Sequence, residues 1–152
     1  MLSMKAKYGL RALTVLARRY GQGPVLISDM SSGEKIPHKF LELILLDLKR
    51  QGMLQSKKGK GGGYFLSKAP GSISVGEVIR TLDGPLALLP CVSQSAYRPC
   101  EECIDETTCG IRSVMKEVRD VTSKILDNTS LQELIDGSRL AADAPRPVMY
   151  HI

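Results

Sequence analysis

The stretch IPHKFLELILLDLKRQG, residues 36–52, followed by MLQSKKGKGGGYFL, residues 53–66, decides how this chain folds. In its first half Leu41, Ile44, Leu45 and Leu48 recur at the i, i+3, i+4, i+7 spacing of one helix face. Pro37 sits where a first-turn proline belongs and Gly52 follows as a C-cap, so the spacing predicts a helix over 37–51. In the second half the period changes. Met53-Leu54 and Tyr64-Phe65-Leu66 are short apolar runs flanking Ser56-Lys57-Lys58-Gly59-Lys60-Gly61-Gly62-Gly63, which predicts a two-stranded hairpin with a flexible, basic tip. These glycines do not match G-x-G-x-x-G, and no lysine with a following Ser or Thr completes a P-loop, which argues against a nucleotide-binding loop.

Toward the N-terminus, Leu10, Leu13, Leu16, Ala17 and Tyr20 predict a helix over 7–20, ended by Gly21 and Gly23 ahead of Pro24. Ile27-Ser28-Asp29 offers a cap for a short helix reaching about Glu34. Three helices with a tight turn before the third make a helix-turn-helix, and a hairpin directly after its recognition helix is a wing. Toward the C-terminus, Ser74-Val75-Gly76-Glu77 is a capping box, and Val75, Val78, Ile79 and Leu82 line a short helix that stops near Gly84-Pro85. Periodicity returns at Ile111, Val114, Val118, Val121 and Ile125, whose 3, 4, 3, 4 spacing is the seam of a coiled coil. Such a helix either packs on its own core or pairs with a symmetry mate, and the seam favours a homodimer. A second capping box, Ser130 to Glu133, begins a short helix expected to end by Gly137; residues 141–152, with Pro145 and Pro147, read as an arm.

The expected architecture is mainly α with a small β-hairpin wing: a winged helix-turn-helix domain plus a long dimerisation helix. Its parts are a winged DNA-binding domain over 1–84, a cysteine loop over 85–110, a dimerisation helix and short packing helix over 111–137, and a C-terminal arm over 138–152.

Composition agrees with a globular chain. The 152 residues suit one domain, or one domain with an appended arm, and 43% apolar with 24% charged residues excludes collagen-like, mucin-like and wholly disordered proteins. Charge-free stretches such as Pro85 to Ser95 fall far short of the ~20 residues of a membrane span, and Ala12 to Ala17 is too short for a secretory h-region, so the expected location is cytoplasmic. Charge is uneven: residues 1–70 hold 13 Lys and Arg against 4 Asp and Glu, whereas residues 71–152 hold 8 against 12. A basic half joined to an acidic half points the basic end at a polyanion.

All four cysteines, Cys91, Cys100, Cys103 and Cys109, lie within 19 residues. In a reducing compartment such clustering points to metal or redox chemistry rather than a disulfide framework. Glu101, Glu102, Asp105 and Glu106 mark the loop as solvated, which argues against four unrelated buried thiols. Soft thiolates suit an iron-sulfur cluster or zinc, and a thiol switch uses the same groups.

Tyr8 to Ala12, Ile36-Pro37-x-x-Phe40-Leu41-Glu42-x-Ile44-Leu45, Gly52, Ser56, Gly59-x-Gly61-Gly62-Gly63-Tyr64-x-Leu66 and Ile73 to Leu82 together resemble the winged-helix Rrf family of bacterial regulators. The similarity continues through the cysteine loop, the long helix and Leu131 to Ile135. The resemblance implies a dimeric transcription factor, not an enzyme, whose cysteines bind a two-iron or four-iron cluster. Cys91, Cys103 and Cys109 match the three family positions and Cys100 is extra. Where two-iron members place a histidine ligand this chain has Arg112, and where some four-iron members supply an aspartate it has Lys7. Cys100 is therefore expected to complete an all-cysteine site or to act as a redox partner.

The expected DNA contacts follow from position. His38, Lys39 and Glu42, at the start of the recognition helix, are placed to reach base edges, and a glutamate there accepts from a cytosine amino group. Lys57, Lys58 and Lys60 on the wing meet phosphates or a minor groove, and Lys5, Lys7 and Arg11 add backbone contacts. Ser28, Pro37, Ser56, Gly61 and Tyr64 complete the set. The expected role is a repressor that binds a double-stranded operator and reads cluster or redox status. The alternatives are a cluster-free thiol or zinc sensor and a small electron-transfer protein, and the latter would leave the basic wing without a purpose.

Overall fold

The computed structural model describes residues 2–143, with side chains through 137. The elements are α1 (Met4–Arg18), α2 (Ile27–Glu34), α3 (His38–Arg50), β1 (Leu54–Lys57), β2 (Gly63–Leu66), α4 (Val75–Asp83), α5 (Gly110–Asp127) and α6 (Leu131–Asp143), with single 3-10 turns at Pro70–Ser72 and Pro90–Val92.

α1 starts three residues before the expected Lys7 because Ser3 caps it, its hydroxyl accepting from the Ala6 amide at 3.1 Å. The buried face of α1 also differs from the expected stripe. It runs through Ala6, Gly9, Ala12, Leu13, Leu16 and Ala17, while Tyr20 lies exposed beyond the helix end. Small residues on this face let α4 approach closely: a Cβ at Gly9 would overlap Leu82.

α2 and α3 form the helix-turn-helix. Their turn is closed by the Ile36 amide donating to the Ser31 carbonyl at 2.9 Å and the Ser31 hydroxyl donating to the Ile36 carbonyl at 2.7 Å, with Ile36 buried. The turn requires Lys35 to adopt the left-handed conformation, φ 52°, the sole non-glycine case among the described residues. A side chain pays a steric penalty there that glycine does not. Lys35→Gly is therefore expected to stabilise the fold by up to about 1 kcal/mol, seen as a rise of the thermal midpoint. An unchanged or lowered midpoint would show that the turn carries no such strain.

α3 buries the four predicted residues, Leu41, Ile44, Leu45 and Leu48, and Pro37 stands at its N-cap rather than inside its first turn. The hairpin pairs Leu54 with Leu66 and Lys57 with Gly63. An isolated bridge fixes it to the body: the Val25 amide donates to the Tyr64 carbonyl at 2.8 Å and the Tyr64 amide to the Val25 carbonyl at 2.9 Å.

α4 opens as expected on Ser74, whose hydroxyl accepts from the Glu77 amide at 3.1 Å. α6 departs from expectation. It runs through Gly137 to Asp143, so residues 138–143 are helical and not part of an arm, while 144–152 lie outside the described residues. One interior glycine costs a helix only about 1 kcal/mol. The helix is well anchored at its start, where the reciprocal capping box forms with the Ser130 amide donating to Glu133 at 2.7 Å and the Glu133 amide to the Ser130 hydroxyl at 3.2 Å. Leu131 and Ile135 are buried in the core of the winged unit, and the chain enters α6 paired to the start of α4, with Leu131 N–H on the Ile73 carbonyl and Val75 N–H on the Thr129 carbonyl. The core therefore does not end at residue 84. α5 leaves this body as an 18-residue helix none of whose residues is buried.

Candidate DNA interface and cysteine segment

The wing and α3 enclose a groove lined by Leu26, Ile27, Ser28, His38, Lys49, Ser56, Lys57, Lys58, Gly63 and Tyr64. Six of the predicted DNA residues thus converge there: Ser28, His38, Ser56, Lys57, Lys58 and Tyr64. Lys49 was not anticipated; it sits three turns into α3, and only the folded hairpin brings it to the Ser56 hydroxyl, to which it donates at 2.6 Å. Pro37, Lys39 and Glu42 are exposed on α3 and its entry, and Lys60 and Gly61 at the tip. His38 and Glu42 pair across one turn, Nε2 to Oε1 at 3.2 Å. The tip glycines form a tight turn, with the Gly62 amide donating to the Gly59 carbonyl at 3.0 Å and left-handed backbone at Gly59, Gly61 and Gly63.

The α1 cations fare differently. Lys7 is exposed. Lys5 pairs with Asp47 at 2.8 Å, and Arg11 pairs with Glu34 at 3.1 Å while also donating to the Glu34 carbonyl. These two therefore fasten α1 to α3 and to the end of α2, and neither lines the groove.

The cysteines occupy the segment between the winged body and α5. Cys91 is buried in the Pro90–Val92 turn, whereas Cys100 is exposed and Cys103 and Cys109 are half-buried, all four as free thiols. The Cys103 amide donates to the Cys100 carbonyl at 3.2 Å, closing a turn between these two residues. Cys109 is the N-cap of α5, its sulfur accepting from the Arg112 amide at 3.4 Å. The Cys103 thiol is pushed up, first by desolvation and then by the neighbouring Cys109, Cys100 and Glu106 charges. Cys109 at the start of α5 and Cys100 in the preceding turn thus both act on the Cys103 thiol.

Acidic side chains brace this segment rather than face into it. Asp105 accepts from the Thr107 amide at 2.9 Å and from its hydroxyl, which holds its carboxyl below the usual range. Glu106 accepts from the Tyr97 hydroxyl, which raises that phenol, and pairs with Arg112 at 3.5 Å. Among the described residues no three His, Cys, Asp or Glu side chains converge as closely as a bound metal ion demands. The donors present nevertheless fit a soft metal or an iron-sulfur cluster, since thiolates are the sulfur ligands both require. Arg112 has no lone pair to give, and its guanidinium is turned to Glu106.

α5 is tied to both neighbours. Arg119 donates to the Val92 carbonyl, next to Cys91, and Arg80 of α4 grips Asp127 through two hydrogen bonds of 2.6 and 2.8 Å. That fork holds the Asp127 carboxyl below its ordinary range and raises the Arg80 guanidinium. Gly76 makes room for it, since a Cβ there would overlap the Asp127 carboxylate. The predicted seam residues Ile111, Val114, Val118, Val121 and Ile125 are between 39% and 68% exposed.

The sequence profile of Rrf2, described as an iron-dependent transcriptional regulator, matches residues 2–137. The chain belongs to the Rrf2 family. An rrf2-like HTH-type regulator of Rhodobacter capsulatus is 41% identical over 145 residues, covering 93% of this chain and 97% of that protein. The HTH-type transcriptional regulator CymR of Bacillus subtilis is 30% identical over 88% of both chains. Among solved structures, B. subtilis CymR, described as its global cysteine regulator, superposes with a TM-score of 0.75 at 27% identity, covering 90% of this chain and 96% of that one. IscR of T. potens gives 0.74 at 25% identity, covering 99% and 96%. As an Rrf2 protein the chain is a winged-helix DNA-binding transcriptional regulator and not an enzyme. Among its described residues no helix is long and apolar enough to cross a membrane.

Proposed function

We propose that this Rrf2 regulator is a cytoplasmic homodimer that binds a double-stranded operator, represses from it, and senses iron-sulfur status through its cysteine segment. The placement of all four cysteines between the winged body and α5, with Cys91 in the Pro90–Val92 turn and Cys109 as the N-cap of α5, supports the sensing part. Cys91, Cys103 and Cys109 would hold the cluster at the family positions, with Cys100 as fourth ligand in place of the missing histidine or aspartate. When bound, a cluster supplies a cross-link that is lost or altered with iron supply and oxidant. Four thiolates around a cluster are strongly anionic, and the Arg112 backbone amide already donates to one of them, Cys109.

The protein's own residues then carry the change to DNA. Cys109 caps α5, Arg119 fastens α5 beside Cys91, and the Arg80–Asp127 fork joins α5 to the winged core. Ordering the cysteine segment therefore fixes α5 against α4, which sets how the two wings of a dimer are spaced on the operator. His38, Lys39 and Glu42 of α3 face base edges; Lys57, Lys58 and Lys60 of the wing meet phosphates, supported by Lys7, Ser28, Pro37, Lys49, Ser56, Gly61 and Tyr64. A thiol-based reading has its own support in the Cys100–Cys103 turn and in the likeness to Staphylococcus aureus CymR, solved in an oxidised form.

Iron and acid-labile sulfide, measured with an absorption spectrum on protein purified without oxygen, separate these readings. The expected result is coloured protein with stoichiometric iron and sulfide, both lost in Cys103→Ala and destabilised in Cys100→Ala. Colourless protein that carries zinc or only thiols, even after reconstitution, would overturn the cluster and leave the thiol sensor. An unchanged spectrum and stability in Cys100→Ala would remove Cys100 from the ligand set.

A further inference from the structure

The outermost line of α3, opposite its buried face of Leu41, Ile44, Leu45 and Leu48, runs through Lys39, Leu43, Leu46 and Arg50, spaced 4, 3 and 4 residues apart. Its middle is apolar: Leu43 is 60% exposed and Leu46 36%. Both flanks of the helix have partners. On the wing side His38 holds Glu42 and Lys49 holds Ser56; on the α1 side the Phe40 ring meets Tyr8 edge-on at 5.8 Å and Asp47 pairs with Lys5. Leu43 has no partner role of that kind in the fold, and it stands farther from the core than Glu42.

We propose that Leu43 is a specificity-determining residue that packs against the C5-methyl group of a thymine in the major groove. The inference rests on the reading of α3 as the helix that enters the groove. A leucine side chain has neither donor nor acceptor, and the one apolar group that a base pair displays in the major groove is the thymine methyl. Placing Leu43 over a cytosine amino group or a guanine carbonyl would strip water from a polar atom and return nothing. The occupant is DNA rather than another protein copy because cations bound the apolar patch. Lys39 and Arg50 lie at its two ends, Arg50 also reaching Asp47 at 3.5 Å, with the wing lysines alongside, in a half of the chain carrying 13 cationic against 4 anionic side chains. A second copy would set these cations against one another, whereas flanking phosphates neutralise them.

The test uses full-length protein prepared without oxygen and a randomised duplex library. Wild type first enriches a binding sequence, and each thymine of that duplex is then replaced singly by deoxyuridine, which lacks only the methyl group. In wild type, deoxyuridine at one thymine of each half-site is expected to weaken binding about fourfold, the effect of uncovering one methyl group. Leu43→Ala is expected to bind the thymine and deoxyuridine duplexes equally, while Lys39→Ala weakens both and keeps the preference. Wild type that ignores every replacement, or a preference that survives in Leu43→Ala, would overturn the thymine assignment alone. Enrichment of no sequence by wild type would instead overturn the base-reading role of α3 itself. Sedimentation of the free proteins covers the other occupant: a change of oligomeric state in Leu43→Ala would make the patch a protein interface and overturn the proposal. Because Leu43 is exposed, unchanged helical circular dichroism is expected in both variants.

Discussion

Gly63→Ala is expected to lower the unfolding free energy by about 2–5 kcal/mol and to abolish operator binding, combining backbone strain with a steric overlap that the core cannot absorb. Gly63 has φ 139°, which side chains rarely adopt, and an added Cβ would overlap the Val25 carbonyl. That carbonyl accepts from the Tyr64 amide, so the overlap falls on the bridge that attaches the wing to the segment before α2. Relief requires β2 to move away from Val25, taking Lys57 and Lys58 out of the groove they share with His38. Chemical denaturation and operator titration read the two effects. A variant with wild-type stability and affinity would show that the wing is not held by this bridge. Gly59, where a Cβ would meet open space, is the control: Gly59→Ala strains only the exposed tip and should cost much less.

Val118→Asp is expected to convert the proposed dimer to a monomer and to weaken binding to a two-site operator by at least about a hundredfold, because the second wing then loses its tether. Val118 is the central residue of a seam whose members are exposed on α5, and α5 buries none of its own residues in the chain. In a symmetric pair the substitution sets two carboxylates into an apolar contact, where unpaired charge is costly. Thermal unfolding of the winged core should change little, since that core is formed by other helices. Sedimentation of wild type and variant decides the matter. If Val118→Asp stays dimeric, α5 is not the interface.

The two effects differ in how they could be seen from the sequence. The α5 seam was legible because all five residues lie on one helix, where spacing alone places them on one face. Leu41, Ile44, Leu45 and Leu48 were legible for the same reason. The buried face of α1 was not: Ala6, Gly9 and Ala12 are too small to mark a hydrophobic stripe, and Gly9 lies against Leu82 of a distant helix. Lys49 escaped notice because it lies three turns from the start of α3 and joins the groove only when the hairpin folds back. Lys5 and Arg11 were expected to face DNA because they are cations on the basic half. Their partners Asp47 and Glu34 are remote in sequence, and an ion pair between remote residues leaves no local pattern.

By itself the sequence determined the helix-turn-helix, the glycine-tipped wing, the long apolar seam and the crowding of four thiols into one segment. These follow from periodicity, capping chemistry and composition, which act over a few residues. Tertiary structure alone decided that α6 returns to complete the winged core through Leu131 and Ile135, that Cys109 caps α5, and that Arg80 grips Asp127. It also left Leu43 60% exposed on α3. Each of these depends on which surfaces remain after the core has closed, and closing the core is a property of the whole chain packed at once.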